Sequence, residues 1–168
     1  MNPDAAMAKA HAALVWHSGA MALLALVALF GALVAEAANI DAGSYAWAEN
    51  AGWINFAPNA GPGVTVTSST LSGYAWSENF GWISLDPVGG GGVLNSGSGT
   101  LSGYAWGENA GWINFAPTFG GGVSIDGATG QFSGYAWGEN VGWINFSIAN
   151  PVVTSWRATS GIFSDGFE

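Results

Sequence analysis

Four stretches of the chain alternate large apolar residues with small or polar ones, and each is interrupted by the same short turn. One reads GYAWSENFGWISLD, from Gly73 to Asp86, and close copies begin at Ser44, Gly103 and Gly134. Alternation with a period of two predicts β-strands. The Glu-Asn-X-Gly segment predicts a type I turn that is followed by a glycine in the left-handed region. Each stretch is therefore expected to form an antiparallel hairpin.

The copies recur about every 30 residues, which is the signature of a repeat architecture. A strand that begins with Gly-Val precedes the second, third and fourth hairpins, and a turn from Asp126 to Gly130 joins the last of these strands to its hairpin. Glycine-rich spacers such as PVGGGG exclude helices here. We predict an all-β fold of four tandem units, each a three-stranded antiparallel meander, arranged as a propeller, a barrel or a solenoid. A hydrophobic helix is expected before them.

Pairing across the turn decides which side chains share a face. The predicted turn type pairs Glu78 with Trp82, and Trp76 with Ser84. One face of the hairpin then carries Tyr74, Trp76, Glu78 and Trp82, and the other carries Ala75, Ile83 and Leu85. Because both faces hold large apolar groups, the units are expected to pack against one another.

The repeated aromatic residues have two interpretations. Burial of a tryptophan contributes roughly 1.5 to 3 kcal/mol or more, so the first is that these residues form the structural core of the repeat. The second is that faces which stay partly open stack on sugar rings, with Trp82 and Trp112 as the candidate glycan-binding residues. The set comprises Tyr45, Trp47, Trp53, Tyr74, Trp76, Trp82, Tyr104, Trp106, Trp112, Tyr135, Trp137 and Trp143.

Each turn carries a glutamate, an asparagine and a glycine. A glycosidase needs two carboxylates in different environments, whereas repetition supplies four equivalent ones, so we predict no catalytic residue. The glutamates are expected to form hydrogen bonds within their turns, and the asparagines to be present because they tolerate turn geometry. These turn residues are Glu49, Asn50, Gly52, Glu78, Asn79, Gly81, Glu108, Asn109, Gly111, Glu139, Asn140 and Gly142.

The start of the chain predicts export. An apolar run from Ala20 to Val34 precedes Ala35-Glu36-Ala37, which indicates signal cleavage after Ala37. The long region before the run, in which Asp4 offsets Lys9, leaves a retained membrane anchor as the alternative. The expected organisation is a signal peptide or anchor at 1–37, a repeat domain at 38–149, a capping strand or linker at 150–161 and a tail at 162–168.

The composition of the chain disfavours several classes of partner and of catalytic site. A chain of 168 residues that is 49% hydrophobic is expected to form one compact domain. Eleven acidic residues against two basic ones give a net charge of −9, which disfavours nucleic acid as a partner. The chain has no cysteine, and both histidines and the only lysine precede residue 38. The exported domain therefore lacks the usual side chains for zinc, for an activated cysteine or for a Schiff base.

Calcium is a further alternative for an acidic extracellular repeat, with oxygen ligands from the turn glutamates, Asp86 and Asp126. Calcium takes about six to eight oxygens, and no loop of the D-x-D-x-D-G kind occurs. We predict neither a metal nor a cofactor.

The segment NPVVTSW, Asn150 to Trp156, follows the last hairpin. It is expected either to supply the strand that the first unit lacks, and so to close or cap the array, or to be a linker to the tail.

Residues Ser44 to Ser147 resemble the tandem GYAWSENxGWINF repeats of secreted or surface proteins of bacteria, a group without an established activity. The resemblance implies export and repetition and does not imply a chemistry. The ending IFSDGFE, Ile162 to Glu168, is similar to a short ending found on exported proteins of some Gram-negative bacteria, which implies a sorting motif.

The sequence thus predicts an exported structural or adhesive repeat protein, periplasmic, extracellular or on the surface of a Gram-negative bacterium. It would act by packing, by self-association through strand edges and aromatic surface, or by binding cell-surface proteins or polysaccharide, and not as an enzyme. It would contact a membrane only through an uncleaved N-terminal segment. The alternative is a carbohydrate-binding module that uses the repeat Trp and Tyr with Asn and Glu. A glycoside hydrolase and a calcium-binding repeat are less favoured.

Overall fold

A computed structural model describes residues 37–158 of the chain. Within this range the fold is all-β and contains no helix, which confirms the predicted class. The expected N-terminal helix, the signal peptide and the tail lie outside the described residues. The strands are β1 (Ala38–Asn39), β2 (Tyr45–Ala48), β3 (Gly52–Asn55), β4 (Val64–Val66), β5 (Thr70–Ser77), β6 (Gly81–Ser84), β7 (Gly92–Asn95), β8 (Leu101–Gly107), β9 (Gly111–Asn114), β10 (Val123–Ile125), β11 (Phe132–Gly138) and β12 (Gly142–Asn145).

Eight of the described strands form a closed antiparallel barrel. Their order around the wall is β2, β3, β5, β6, β8, β9, β11 and β12, and β12 pairs again with β2. The closing pairs are Ile144 with Ala48 and Asn145 with Trp47. Of the three predicted arrangements, the structure therefore shows the barrel.

The long strands β5, β8 and β11 extend beyond this ring. Their first halves pair with the short strands β4, β7 and β10, so three copies of the repeat consist of three consecutive strands. The first copy has only the hairpin β2–β3 among the described strands, and β1 pairs with β4 instead. The prediction of three strands in all four units is therefore not met.

Within the described residues the first copy lacks a third strand, and the segment after the last hairpin lies in its place. This segment contacts the residues that follow β1 on one side and the start of β11 on the other. Val153 forms a β-bridge with Gln131, and Thr154 forms one with Ile40. The Val153 carbonyl accepts a hydrogen bond from the Asp41 N–H at 2.8 Å, and the Val152 carbonyl accepts one from Phe132, also at 2.8 Å. The end of the repeat array thus contacts its beginning.

The hairpin register differs from the predicted one by two residues. Trp76 pairs with Trp82 and Ser77 with Gly81, because the loop consists of three residues, Glu78 to Phe80, and the glycine already belongs to the second strand. A shift by two residues leaves every side chain on its original face. The predicted assignment of residues to the two faces therefore agrees with the structure.

Small and aliphatic residues fill the barrel. In each hairpin a buried alanine pairs with a buried isoleucine. Larger residues lie further from the turns, where the Phe146 ring is 5.3 Å from Phe56, 5.9 Å from Phe115 and 6.0 Å from Phe132. An eight-stranded barrel is just wide enough for side chains to fill it. The alanines that pair with isoleucines are Ala46, Ala75, Ala105 and Ala136.

The prediction that the repeat tyrosines and tryptophans form the core is wrong. Their side chains alternate with the buried alanines and isoleucines and lie on the outer face of the wall. The physical reason is space, because the concave side of a narrow barrel accepts an alanine where an indole ring would not fit.

Candidate functional site

Each hairpin carries an aromatic triad on its outer face, formed by the tyrosine, the first tryptophan and the second tryptophan of its copy. The two tryptophans occupy paired positions on adjacent strands, and the tyrosine lies two residues before the first. In the first three copies the indole rings are 4.8 to 5.0 Å apart, and the tyrosine lies 6.2 to 6.3 Å from the second indole. In the fourth copy Tyr135 lies 6.4 Å from Trp143. These contacts, which are edge-to-face except for the tilted pair Trp106 and Trp112, hold the exposed rings in place.

The four hairpin turns lie at the same end of the barrel, and their asparagines form a ring of hydrogen bonds. Each side-chain amide donates to a main-chain carbonyl in the turn of the preceding copy, and the first copy donates to the fourth. The bonds run from Asn50 to the Asn140 carbonyl at 3.2 Å, from Asn79 to Ala51 at 3.1 Å, from Asn109 to Phe80 at 3.3 Å and from Asn140 to Asn109 at 3.4 Å.

This ring corrects the predicted reason for the asparagines. Among the described residues only glycines have positive φ, so no asparagine adopts the left-handed conformation. The turn glycines do so as predicted, with φ of 71° at Gly52, 80° at Gly81, 70° at Gly111 and 72° at Gly142. The asparagines therefore join neighbouring copies, and the glycines close the turns.

Replacement of Asn109 by alanine tests the ring. The change removes one hydrogen bond between copies, and the free energy of unfolding is expected to fall by about 0.5–1.5 kcal/mol. Chemical denaturation measures the effect, and Asn59→Ala in an exposed loop is the control, expected to change stability by less than about 0.5 kcal/mol. Equal effects of the two substitutions would show that the ring does not stabilise the barrel.

The turn glutamates are exposed at the same end. The predicted hydrogen bond within the turn is not the one that Glu49 forms. Its Oε2 accepts a hydrogen bond from the Trp143 main-chain N–H at 3.2 Å. That bond joins the first copy to the fourth.

The remaining acidic candidates, Asp126 and Asp86, accept hydrogen bonds from main-chain N–H groups. The Asp126 carboxylate accepts hydrogen bonds from the main-chain N–H groups of Thr129 at 2.7 Å and Ala128 at 2.9 Å, and these bonds lower the pKa of Asp126. Asp86 accepts from the Gly73 N–H at 3.1 Å. In the part of the chain that the structure describes, no three acidic side chains come together as metal ligands.

A groove of about 920 Å³ lies on the outer face beside the first hairpin. We call it the first-hairpin groove. Its aromatic residues are Tyr45, Trp47, Trp53 and Trp76, and its polar residues are Asn55, Glu78, Asn79 and Asn150. A cleft that combines aromatic surface with a few polar side chains is the usual form of a small-molecule site.

Two of the polar side chains in the groove are held by hydrogen bonds. Asn55 accepts from the Ala57 N–H at 2.9 Å through its Oδ1, which leaves its amide nitrogen directed to Tyr45 Oη at 3.5 Å. Asn79 is fixed by its bond to the neighbouring turn. The groove thus offers donors and acceptors in defined positions next to exposed rings.

The groove does not contain the two residues predicted for glycan binding, Trp82 and Trp112. It also contains residues that the sequence reasoning missed, namely Asn55 and the loop residues Ile148, Ala149 and Asn150. The sequence does contain a signal that distinguishes this loop. The spacer after the fourth hairpin, SIANP, lacks the glycines found in the other three spacers.

No protein-family model matches the chain, and neither the curated proteins nor the solved structures include a significant match. The described residues contain no helix of the length and hydropathy that a membrane span requires. Ala37 is exposed at the start of the described range, and Ala35, the other residue of the predicted cleavage pattern, lies outside it.

Proposed function

We propose that the protein is an exported adhesive module that binds a neutral carbohydrate in the first-hairpin groove. The observation that carries the proposal is the combination of four exposed aromatic rings with three asparagine side chains and one glutamate in a single groove. The apolar face of a sugar ring stacks on an indole, and its hydroxyl groups bond to amides and carboxylates.

Charge favours a neutral ligand. Among the described residues there are seven acidic side chains and one basic one, Arg157. Arg157 donates to the carbonyls of Thr154 and Trp156, on the segment after the last hairpin. An anionic polysaccharide would meet repulsion at the groove, where Glu78 is the charged residue.

Binding without cleavage fits the groove better than hydrolysis does. Most glycosidases place two carboxyl groups across the scissile bond, whereas Glu78 is the single carboxylate among the residues that line this groove. The eight strands of the closed ring also have no free edge, and self-association by edge pairing would depend on such an edge. Attachment through the outer aromatic face remains as the adhesive mechanism.

The test is retention on insoluble neutral polysaccharides, with cellulose, chitin and a β-1,3-glucan as the probes. The unaltered protein is expected to be retained on at least one of them. Trp53→Ala is expected to weaken binding by about 2 kcal/mol, which is about 30-fold, because it removes the most exposed ring of the groove.

Thermal melting is the control for this substitution. Because the Trp53 ring lies outside the barrel, the variant is expected to retain the melting transition of the unaltered protein. A folded protein that is retained on none of the three polysaccharides would overturn the proposed function.

A further inference from the structure

We infer that each chain has one glycan site, because loops between copies contact and partly cover the tryptophans that correspond to Trp53 in the other three units. The inference rests on the proposed function and adds to it the number of sites, the residue that distinguishes them and the length of the ligand.

These loops are the connections at 58–63, 87–91 and 117–122, which we call the glycine loops. Each places a glycine against the second tryptophan of the following copy. A Cβ added at Gly61 would lie 2.6 Å from the ring of Trp82, and one added at Gly91 would lie 2.7 Å from that of Trp112. One added at Gly120 would lie 2.9 Å from Trp143. The main chain therefore rests directly on these three rings.

The connection after the fourth hairpin, residues 147–151, is different. It has the sequence SIANP and contains no glycine. Ile148, Ala149 and Asn150 form a side of the first-hairpin groove together with Trp53. Trp53 has the largest exposed fraction of the repeat tryptophans that the structure describes, 55% against 47% for Trp112. The groove therefore lies beside the one connection of the four that lacks a glycine.

The groove accepts more than one sugar ring. Its aromatic residues come from two copies, since Trp47 and Trp53 belong to the first and Trp76 to the second. Its volume of about 920 Å³ is near the upper end of the usual range for ligand sites. The ligand class is therefore a linear, neutral oligosaccharide segment, and affinity is expected to increase from the monosaccharide to the hexasaccharide.

Isothermal titration of the full chain with cellohexaose, chitohexaose and a β-1,3-linked glucohexaose tests the inference. The expected result is about one site per chain, with binding weakened about 30-fold by Trp53→Ala and changed less than about twofold by Trp112→Ala. Trp112 is the matched control, because it occupies the same position in the third copy and Gly91 of a glycine loop lies against its ring.

The outcomes separate the two proposals. About four sites per chain, or equal losses in the two variants, would overturn the single-site inference and leave carbohydrate binding intact. Absence of binding to all three hexasaccharides would overturn both. Trp53→Phe, which keeps a ring at the position, is expected to retain more affinity than Trp53→Ala, and it distinguishes stacking from a folding defect.

Transfer of a glycine loop provides a second test. Replacement of residues 147–151 by the sequence APTFGGG, taken from residues 116–122, is expected to cover Trp53 and weaken hexasaccharide binding to the level of Trp53→Ala. A folded variant that binds as tightly as the unaltered chain would show that the loops do not control access. Where melting shows that the variant does not fold, the comparison of Trp53→Ala with Trp112→Ala decides the question.

Discussion

Truncation after Ala149 is expected to unfold the domain or to remove most of its stability. The lost segment buries the side chains of Val152 and Trp156 and carries the bridges to Gln131 and Ile40. Burial of one large apolar side chain contributes about 1.5–3 kcal/mol, so these two alone account for about 3–6 kcal/mol. That amount is comparable with the whole stability of a small domain, about 5–15 kcal/mol.

The same truncation breaks polar contacts between Thr154 and the segments on either side of it. Thr154 is completely buried, and its hydroxyl donates to the Asn39 carbonyl at 3.1 Å. Its N–H donates to the Gly130 carbonyl at 3.0 Å. Removal of the segment takes the Thr154 donors away from both carbonyls. Each carbonyl that stays buried without a partner lowers the free energy of unfolding by about a further 1–3 kcal/mol, which is the cost of an unsatisfied polar group.

Circular dichroism during urea denaturation measures the effect of truncation. The matched control is a chain that ends at Ala158, which keeps all of these contacts and is expected to unfold at the same urea concentration as the full chain. Unchanged stability after truncation at Ala149 would show that residues 150–158 are a linker and do not complete the wall.

Phe146→Ala is expected to lower the free energy of unfolding by about 3–5 kcal/mol. Phe146 is fully buried, and its ring packs against those of Phe56, Phe115 and Phe132. Phe56 and Phe115 belong to the first and third copies, and Phe132 begins strand β11 of the fourth. Removal of the Phe146 ring leaves a cavity at a point where the copies meet, and the rigid wall of a closed barrel collapses little around such a cavity.

The control for this substitution is Phe119→Ala. The Phe119 ring lies in a glycine loop and is 80% exposed, so its loss is expected to change stability by less than about 0.5 kcal/mol. Denaturant titration of the two variants side by side gives the comparison. A loss of less than about 1 kcal/mol in Phe146→Ala would contradict the central position that we assign to this ring.

Local features of the fold could be predicted because they depend on neighbouring residues. The alternation in Tyr74-Ala75-Trp76 predicts a strand and places these side chains on opposite faces, and the structure agrees. The Glu-Asn-X-Gly turn requires a residue without a Cβ at its end, so the left-handed conformation of Gly81 was predictable as well. The exact pairing was not, because two hairpin registers two residues apart give the same faces.

The curvature of the sheet decided which face of each hairpin is buried. Alternation of residues with a period of two does not predict that curvature. Both faces of the hairpin are apolar, and transfer energy alone favours burial of Trp76 over burial of Ala75. Closure of eight strands into a narrow barrel reverses this choice, since its interior accommodates the alanines and leaves the indoles outside.

The sequence by itself determined the β class, the hairpins, their turn glycines and the division of side chains between two faces. Each of these follows from steric and periodic constraints within a few residues of chain. Only the tertiary structure decided that the array closes, that the tryptophans face outward and that the groove forms at Trp53. These depend on segments far apart in sequence, such as those of Trp53 and Ala149, which line one groove because the last copy pairs with the first.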